Sequence, residues 1–192
     1  RTRQEVLIWT DVGIVSMRFV GEPFVFSFTE VAEGPSLIAP NAAVSANNRV
    51  YFMDNGGFYI YSGSAEKISC TVLDYVLSDL NQDQSFKVFA AVNNIANEVM
   101  WFYPSGTNTE IDKYVLYNYL EDVWSIGTTE DNFVRTAWDQ ASILEYPIAA
   151  SKNDSSNLNY VYNHEKGHGN DGSDFTAYIE SSDFDLEPDG DK

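Results

Sequence analysis

Cysteine is nearly absent from this sequence: Cys70 is the only one, so the chain can form no internal disulfide. A small secreted scaffold held by disulfides is excluded, and assembly inside a cell is favoured. Positive charge is scarce as well. Eleven Lys and Arg stand against 29 Asp and Glu, a formal charge of −18. Wrapping duplex DNA and binding an anionic membrane both need basic patches, so neither fits. There is no apolar run long enough to span a bilayer and no signal-peptide pattern. The usual catalytic signatures are missing too. The sequence has no G-x-S-x-G nucleophile turn, no glycine-rich phosphate loop ending in Lys, and no S-x-D-x-G-x-x-W turn of the sialidase type. No carboxylate pair is marked by apolar flanks as a poised acid.

What is present is apolar and aromatic. Hydrophobic residues make up 44 % of the 192 positions, and twelve Tyr and twelve Phe help bring aromatics to 15 %. That is enough for one sizeable core and excludes a disordered acidic tail. The chain opens on Arg1 rather than Met and ends on "DLEPDGDK", as a piece of a longer protein would.

The apolar residues come in short bursts separated by turn residues. "EVLIWTDVGIVSMRFV" reads as strand, Asp-Val-Gly turn, strand. In "PFVFSFTEV" the period is two: Phe24, Phe26 and Phe28 point one way, Val25 and Ser27 the other. "RVYFMDNGGFYIYSG" is a hairpin turning on Asp54-Asn55-Gly56-Gly57, where glycine supplies the positive φ of a tight reversal. "NEVMWFYPSG", "DKYVLYNYLEDVWSIG" and "NLNYVYNHEKG" give further strands. The aromatic strands supply the expected core: Val50, Phe52, Val99, Trp101, Val115, Tyr117 and Trp124.

One segment breaks the pattern. In "CTVLDYVLSDLNQDQ", Val72, Leu73, Val76, Leu77 and Leu80 recur at helical spacing. Thr71 stands where it can cap, with Asp74 three residues on. The spacing predicts one amphipathic helix over 71–81, whose apolar stripe packs on the rest of the fold. Its polar side offers Asp79 and, just beyond, Asp83 as candidate contacts to a neighbouring subunit.

Three stretches are alike: "AAVSANNRVYFM" from Ala42, "AAVNNIANEVMWF" from Ala90 and "AASKNDSSNLNYVY" from Ala149. Each is a short strand of small residues, a polar turn and an aromatic strand. Starts about 50 to 60 residues apart, with several strands per unit, match β-propeller blades. The expectation is an all-β fold: a β-propeller or part of one, with antiparallel four-stranded blades and one short inserted helix. Residues 1–192 form a single region, with blades near 5–40, 41–85 (helix 71–81), 86–130 and 131–182. An antiparallel sandwich is the alternative.

"HEKGH", His164 to His168, spells H-E-x-x-H. On a helix this places two imidazoles on one face to bind zinc, with Glu165 as general base. Here it follows the strand "NYVYN", and Gly167, Gly169 and Gly172 with Asn170 and Asp171 read as a turn. The chain has no third histidine. The reading is a solvated hairpin loop, with no catalytic, cofactor or metal residue assigned. The residual metal candidate is His164 with His168 and Asp171. The alternating acids Asp183, Asp185, Glu187, Asp189 and Asp191 lack the order of a calcium loop. They read as a charged edge that blocks stray strand pairing.

Several of these motifs resemble a known family. They are "IWTDVGIVSM", the run Ile38-Ala39-Pro40-Asn41 leading into the aromatic hairpin, and Tyr117-Asn118-Tyr119 followed by Val123-Trp124-Ser125. They are similar to the β-propeller of podovirus tail proteins, the packaged-DNA stabilization, or tail hub and nozzle, proteins of short-tailed phages. The resemblance runs from about Leu7 to Asp185. It implies a structural protein of the virion tail, assembled in the host cytoplasm. Such proteins form a ring, usually a homo-hexamer, at the end of the portal and adaptor stack among other tail proteins. The ring helps retain packaged DNA and provides the conduit for its ejection. The resemblance brings no catalytic residue; no cofactor or membrane contact is expected, and the "HE" segment is an ordinary blade loop.

An acidic wall suits a conduit, because it repels phosphates and lets DNA pass without specific binding. Acidity on the outer surface would instead serve solubility. Two other classes are open. Gly56-Gly57 and the Tyr-to-Trp spacing resemble a Kelch-like protein-binding propeller, although the glycines and the Trp fall in different units. A carbohydrate-active propeller enzyme would need a central pocket with convergent carboxylates.

Overall fold

The computed structural model describes residues 5–129, 134–141, 143–152, 159–167, 169–170 and 173–174, and it is all-β apart from one short helix and a 3-10 turn. β1 (Glu5–Trp9), β2 (Gly13–Gly21) and β3 (Val25–Glu33) form a first antiparallel sheet. β4 (Ala43–Ala46), β5 (Arg49–Asp54), β6 (Gly57–Tyr61) and β7 (Ala65–Lys67) form the second. β8 (Phe89–Asn93), β9 (Glu98–Tyr103), β10 (Lys113–Asn118) and β11 (Val123–Thr128) form the third. β12 (Val134–Asp139), β13 (Ile148–Lys152) and β14 (Asn159–Asn163) form the fourth, and a two-stranded ladder joins Gly169–Asn170 to Ser173–Asp174. Every sheet keeps its strands in chain order. The expected four strands per sheet occur in the second and third; among the described residues the first and fourth have three. The second and third sheets open on strands carrying small residues, Ala43–Ala46 and Ala90–Ala91, whereas the first opens directly on the bulky β1.

Short polar turns make this possible. Asn47 and Asn48, at φ 47° and 60°, reverse the chain between β4 and β5. Asparagine tolerates this left-handed backbone better than other residues with a Cβ. Between β5 and β6 the Asp54 carboxylate accepts the Gly56 N–H at 2.6 Å, and Gly57 takes φ 145°. That positive φ is the reason for glycine here, since the nearest atom a Cβ would meet, Lys67 Cε at 2.9 Å, belongs to the movable end of a long side chain.

Alternation then decides what each sheet buries. Leu7 and Ile14 of the first sheet pack on Val50, Phe52 and Tyr61 of the second. The second sheet's other face, with Tyr51, Met53 and Phe58, meets Val99, Trp101, Val115, Tyr117 and Trp124 of the third. The third sheet's far face, with Phe89, Met100 and Phe102, meets Val134 and Trp138 of β12. Four sheets are therefore stacked face to face in chain order. The first strands of the second, third and fourth sheets also meet: β8 lies beside both β4 and β12, and the Ala90 N–H donates to the Asn41 carbonyl at 2.8 Å. All seven residues expected in the core are buried.

The helix is shorter than the expected 71–81. α1 covers Leu73–Asp79, and its N-cap position is Val72 with no side-chain cap, so Thr71 does not cap it. The segment ahead of it is a turn, in which the Leu73 N–H donates to the Cys70 carbonyl at 3.4 Å. At the other end Leu80 is extended and bridges Ser105, and the Asn81 N–H donates to the Pro104 carbonyl at 2.9 Å. Those bonds to the β9–β10 loop compete with further helix and end it. A 3-10 turn, Gln82–Lys87, follows. The apolar stripe packs as the spacing predicts: Val76 and Leu80 are buried in the central cluster, with Val72, Leu73 and Leu77 against it. No helix among the described residues is long and apolar enough to cross a membrane.

Trp101 is the centre of this arrangement, fully buried, 4.7 Å from the Phe58 ring and donating its indole N–H to the Ala42 carbonyl at 3.2 Å. Trp101→Ala should cost about 3 to 5 kcal/mol in chemical denaturation. A loss below about 1 kcal/mol would contradict its place in the core.

Candidate functional site

The H-E-x-x-H segment was the sequence's one candidate for chemistry. β14 ends at Asn163, and His164 to Gly167 continue as bends. Glu165 has φ +59°, a left-handed conformation that residues with a Cβ adopt singly and not in helices. The spacing of four therefore does not put two imidazoles on one helix face. The His164 ring is half-buried, 4.6 Å from the Trp138 ring, and its Nε2 accepts a hydrogen bond from Arg135 Nε at 2.9 Å. Burial, and then the neighbouring guanidinium, push its pKa down to about 4. At neutral pH the ring is uncharged, and its Nε2 lone pair is committed to Arg135. Arg135 also lies over the Tyr162 ring at 4.8 Å. His168 and Asp171, the other two residues of the metal candidate, lie outside the described residues, as do the alternating acids Asp183 to Asp191. Among the described residues no three His, Cys, Asp or Glu side chains come together as a metal would need.

Glu165 turns back to the third sheet. Its Oε1 accepts from the Asn93 side-chain amide at 3.3 Å, and the same amide reaches Glu98 at 3.4 Å. Burial, and then the charge of Glu165, raise the Glu98 carboxyl above its usual range. This contact ties the turn after β14 to the sheet before it.

The two candidate partner contacts have different surroundings. Asp79, the last residue of α1, lies 2.8 Å from Lys113 Nζ and accepts the Tyr103 hydroxyl at 3.2 Å. Burial first, and then this carboxylate, raise the Tyr103 phenol; the hydrogen bond to Asp79 is the main cause of the raised Lys113 ammonium. Asp79 is thus occupied within the fold. Asp83 is exposed in the 3-10 turn, its backbone N–H held by the Asn81 side chain at 3.1 Å, and the exposed Phe86 follows three residues later.

The sequence pattern placed neither the Arg135–His164 pair nor the exposed apolar face of the first sheet. Phe26 and Phe28 do share one face of β3, opposite Phe19 and Met17 of β2. That face, however, points away from the second sheet. Leu7 and Ile14, on the side of Ser16 and Ser27, make the contact instead. The alternation was legible, but the face that goes inward is set by the partner sheet.

The His164 environment predicts a pH effect. Its folded pKa of about 4 lies below the ordinary 6.5, so the unfolded chain binds a proton first. The contribution to stability is whole above pH 6.5 and falls as pH drops from 6.5 towards 4. His164→Gln keeps an acceptor for Arg135 but has no proton to gain. Allowing for the ring's partial exposure, the urea stabilities of the two proteins should converge or cross by roughly 1 to 2 kcal/mol between pH 7 and pH 4.5. Parallel pH profiles would sink the assignment. No protein-family model matches the chain, and no curated protein is significantly similar to it.

Proposed function

We propose that this chain is a structural component of the tail of a short-tailed phage, part of a hub or nozzle ring of six copies. In this reading the ring helps retain packaged DNA and forms the conduit for its ejection, and the chain is not an enzyme. The observation that carries it is the stacking of antiparallel sheets in chain order with β4, β8 and β12 together at one side, which is how propeller blades are arranged. The motifs of the resemblance lie within that stack: Ile38 to Asn41 lead into the second sheet, and Tyr117 and Trp124 face it from the third.

Charge supports the same reading. Carboxylates outnumber basic residues 29 to 11, and three of the eleven, Arg18, Lys87 and Lys113, are paired with Glu5, Glu110 and Asp79. A wall of this kind repels DNA and lets it slide. Contacts to portal, adaptor and other tail proteins then fall to exposed loop positions such as Asp83 and Phe86. Asp79 stays internal.

Negative-stain imaging and mass photometry of the full-length protein, alone and with its adaptor, should give a ring, and Asp83→Lys should weaken it without unfolding the subunit. A monomer at micromolar concentration in both settings would refute the tail reading and favour a free binding module. In a low-salt gel shift, affinity for duplex DNA should be weaker than the roughly 10⁻⁴ to 10⁻⁶ M of nonspecific DNA binders. Tighter binding would overturn the acidic conduit.

A further inference from the structure

Asparagine followed directly by glycine occurs once in the sequence, at Asn55-Gly56. These two residues form the whole turn between β5 and β6, and both are exposed. An asparagine amide carbon is a weak electrophile held close to the backbone nitrogen of the next residue. Attack by that nitrogen closes an imide ring, and proximity within one chain makes a step feasible that would be negligible between separate molecules. A side chain on the following residue crowds the attack, and glycine has none.

The structure adds three features to this dipeptide. The Gly56 N–H already points at a base: it donates to the Asp54 carboxylate at 2.6 Å. Glycine at this position is not demanded by the backbone, because φ is not positive and an added Cβ would meet nothing nearer than Asp54 Oδ1 at 3.4 Å. The Asn55 amide is uncommitted, with no hydrogen bond to any of the described residues. Other asparagine amides are held: Asn81 donates to the Asn108 carbonyl at 2.9 Å, Asn108 to Asp112 at 2.8 Å, and Asn118 to the Ala96 carbonyl at 3.1 Å. Nucleophile, base and a freely turning electrophile thus meet in one exposed turn.

We infer that Asn55 is a site of self-modification, where the Gly56 nitrogen attacks the Asn55 side-chain amide with Asp54 as general base. The Gly56 nitrogen bonds to Asn55 Cγ and gives its proton to the Asp54 carboxylate. The Cγ–Nδ2 bond breaks, and the amide nitrogen leaves as ammonia with that proton. Water then opens the imide. Cleavage at Cγ leaves an aspartate; cleavage at the main-chain carbonyl leaves an isoaspartate, with the backbone running through the side chain. Both products add a negative charge beside Asp54, and the second also inserts a methylene into a two-residue turn. The turn sets the pairing of Asp54 with Gly57 and of Met53 with Phe58. Phe58 is fully buried, with its ring 4.7 Å from Trp101 and 4.8 Å from Trp124. Isoaspartate at position 55 therefore loosens, from its tip, the hairpin on which the third sheet packs. The chemistry is local to the turn and is independent of the tail reading.

The test is to age the full chain in mildly alkaline buffer, folded and in parallel unfolded in urea, and to follow the tryptic peptide 50–67 by mass spectrometry. The folded wild type should gain the mass of an amide-to-acid conversion, localised to Asn55 by fragmentation, with part of the product accepting a methyl group from an isoaspartyl methyltransferase. Conversion should be at least as fast folded as in urea, because the folded turn supplies the base. Asp54→Ser keeps a short acceptor for the Gly56 N–H but no base. It should slow conversion in the folded protein by about tenfold, short of the roughly 10² to 10⁴ of enzymic general bases, with little change in urea. If that variant fails to fold by circular dichroism, Gly56→Ala serves instead: there is room for its Cβ, and crowding at the nitrogen should suppress conversion. A folded wild type that keeps its amide while the unfolded chain loses it would overturn the inference, because the turn would then protect Asn55. Equal rates for folded wild type and folded Asp54→Ser would overturn it as well, by removing Asp54 as the base.

Discussion

The structure depends on a constraint that tryptophan brings. An indole buries a large apolar area but carries an N–H that must find an acceptor once water is gone. Three tryptophans solve this in one way, by donating to a backbone carbonyl of the adjoining unit. Trp101 of the third sheet reaches the Ala42 carbonyl just before β4, and Trp124 reaches the Ser69 carbonyl just after β7, at 3.2 and 2.8 Å. Trp138 of the fourth sheet reaches the Val92 carbonyl in β8 at 2.9 Å. Apolar packing alone would let one sheet slide over another with little penalty. A buried N–H that loses its acceptor costs about 1 to 3 kcal/mol, so each indole fixes where one sheet sits on the next. Trp9 of the first sheet departs from this: it packs edge to face on Phe52 at 5.6 Å, but its buried Nε1 has no hydrogen-bond partner among the described residues, so only ring packing holds it to the second sheet.

Much of this was legible because strand period and turn chemistry are local. Alternation marked Val50 and Phe52, and Val99 and Trp101, as buried pairs, and the asparagine and glycine turns marked the hairpins. What escaped the sequence depends on residues far apart in the chain. The end of α1 is decided by bonds from Leu80 and Asn81 to the loop near Pro104 and Ser105. His164 looked like a solvated loop residue, yet β12 brings Arg135 and Trp138 against it. The alternation read in the strand of phenylalanines holds for Phe26 and Phe28, while Phe24 lies just ahead of β3. Which side becomes core was decided by where the second sheet lies, and no pattern within β3 encodes that.

The charge of the chain is arranged in two tiers. The described ion pairs place single cations beside single carboxylates, with Asp79–Lys113 at the helix end and Glu5–Arg18 across β1 and β2. Such partly exposed pairs contribute little to stability, roughly 0 to 1 kcal/mol each. The net charge of the chain is set instead by its 29 acidic against 11 basic residues, an excess that disfavours approach of a polyanion.

The same excess sets the terms on which copies can associate. Two chains of charge −18 repel at a distance, and the repulsion falls with a Debye length of about 8 to 10 Å at moderate salt. An interface can form only where the desolvated area is large and carboxylates are few. The face of Met17, Phe19, Phe26 and Phe28 meets both conditions. Salt then acts in opposite directions on the two kinds of contact. It weakens any binding to phosphate, because that binding gains from counterion release. Any association between copies would instead be strengthened, because salt screens their like charge while leaving apolar burial intact. Both directions follow from one feature of the sequence, its 29 acidic against 11 basic residues.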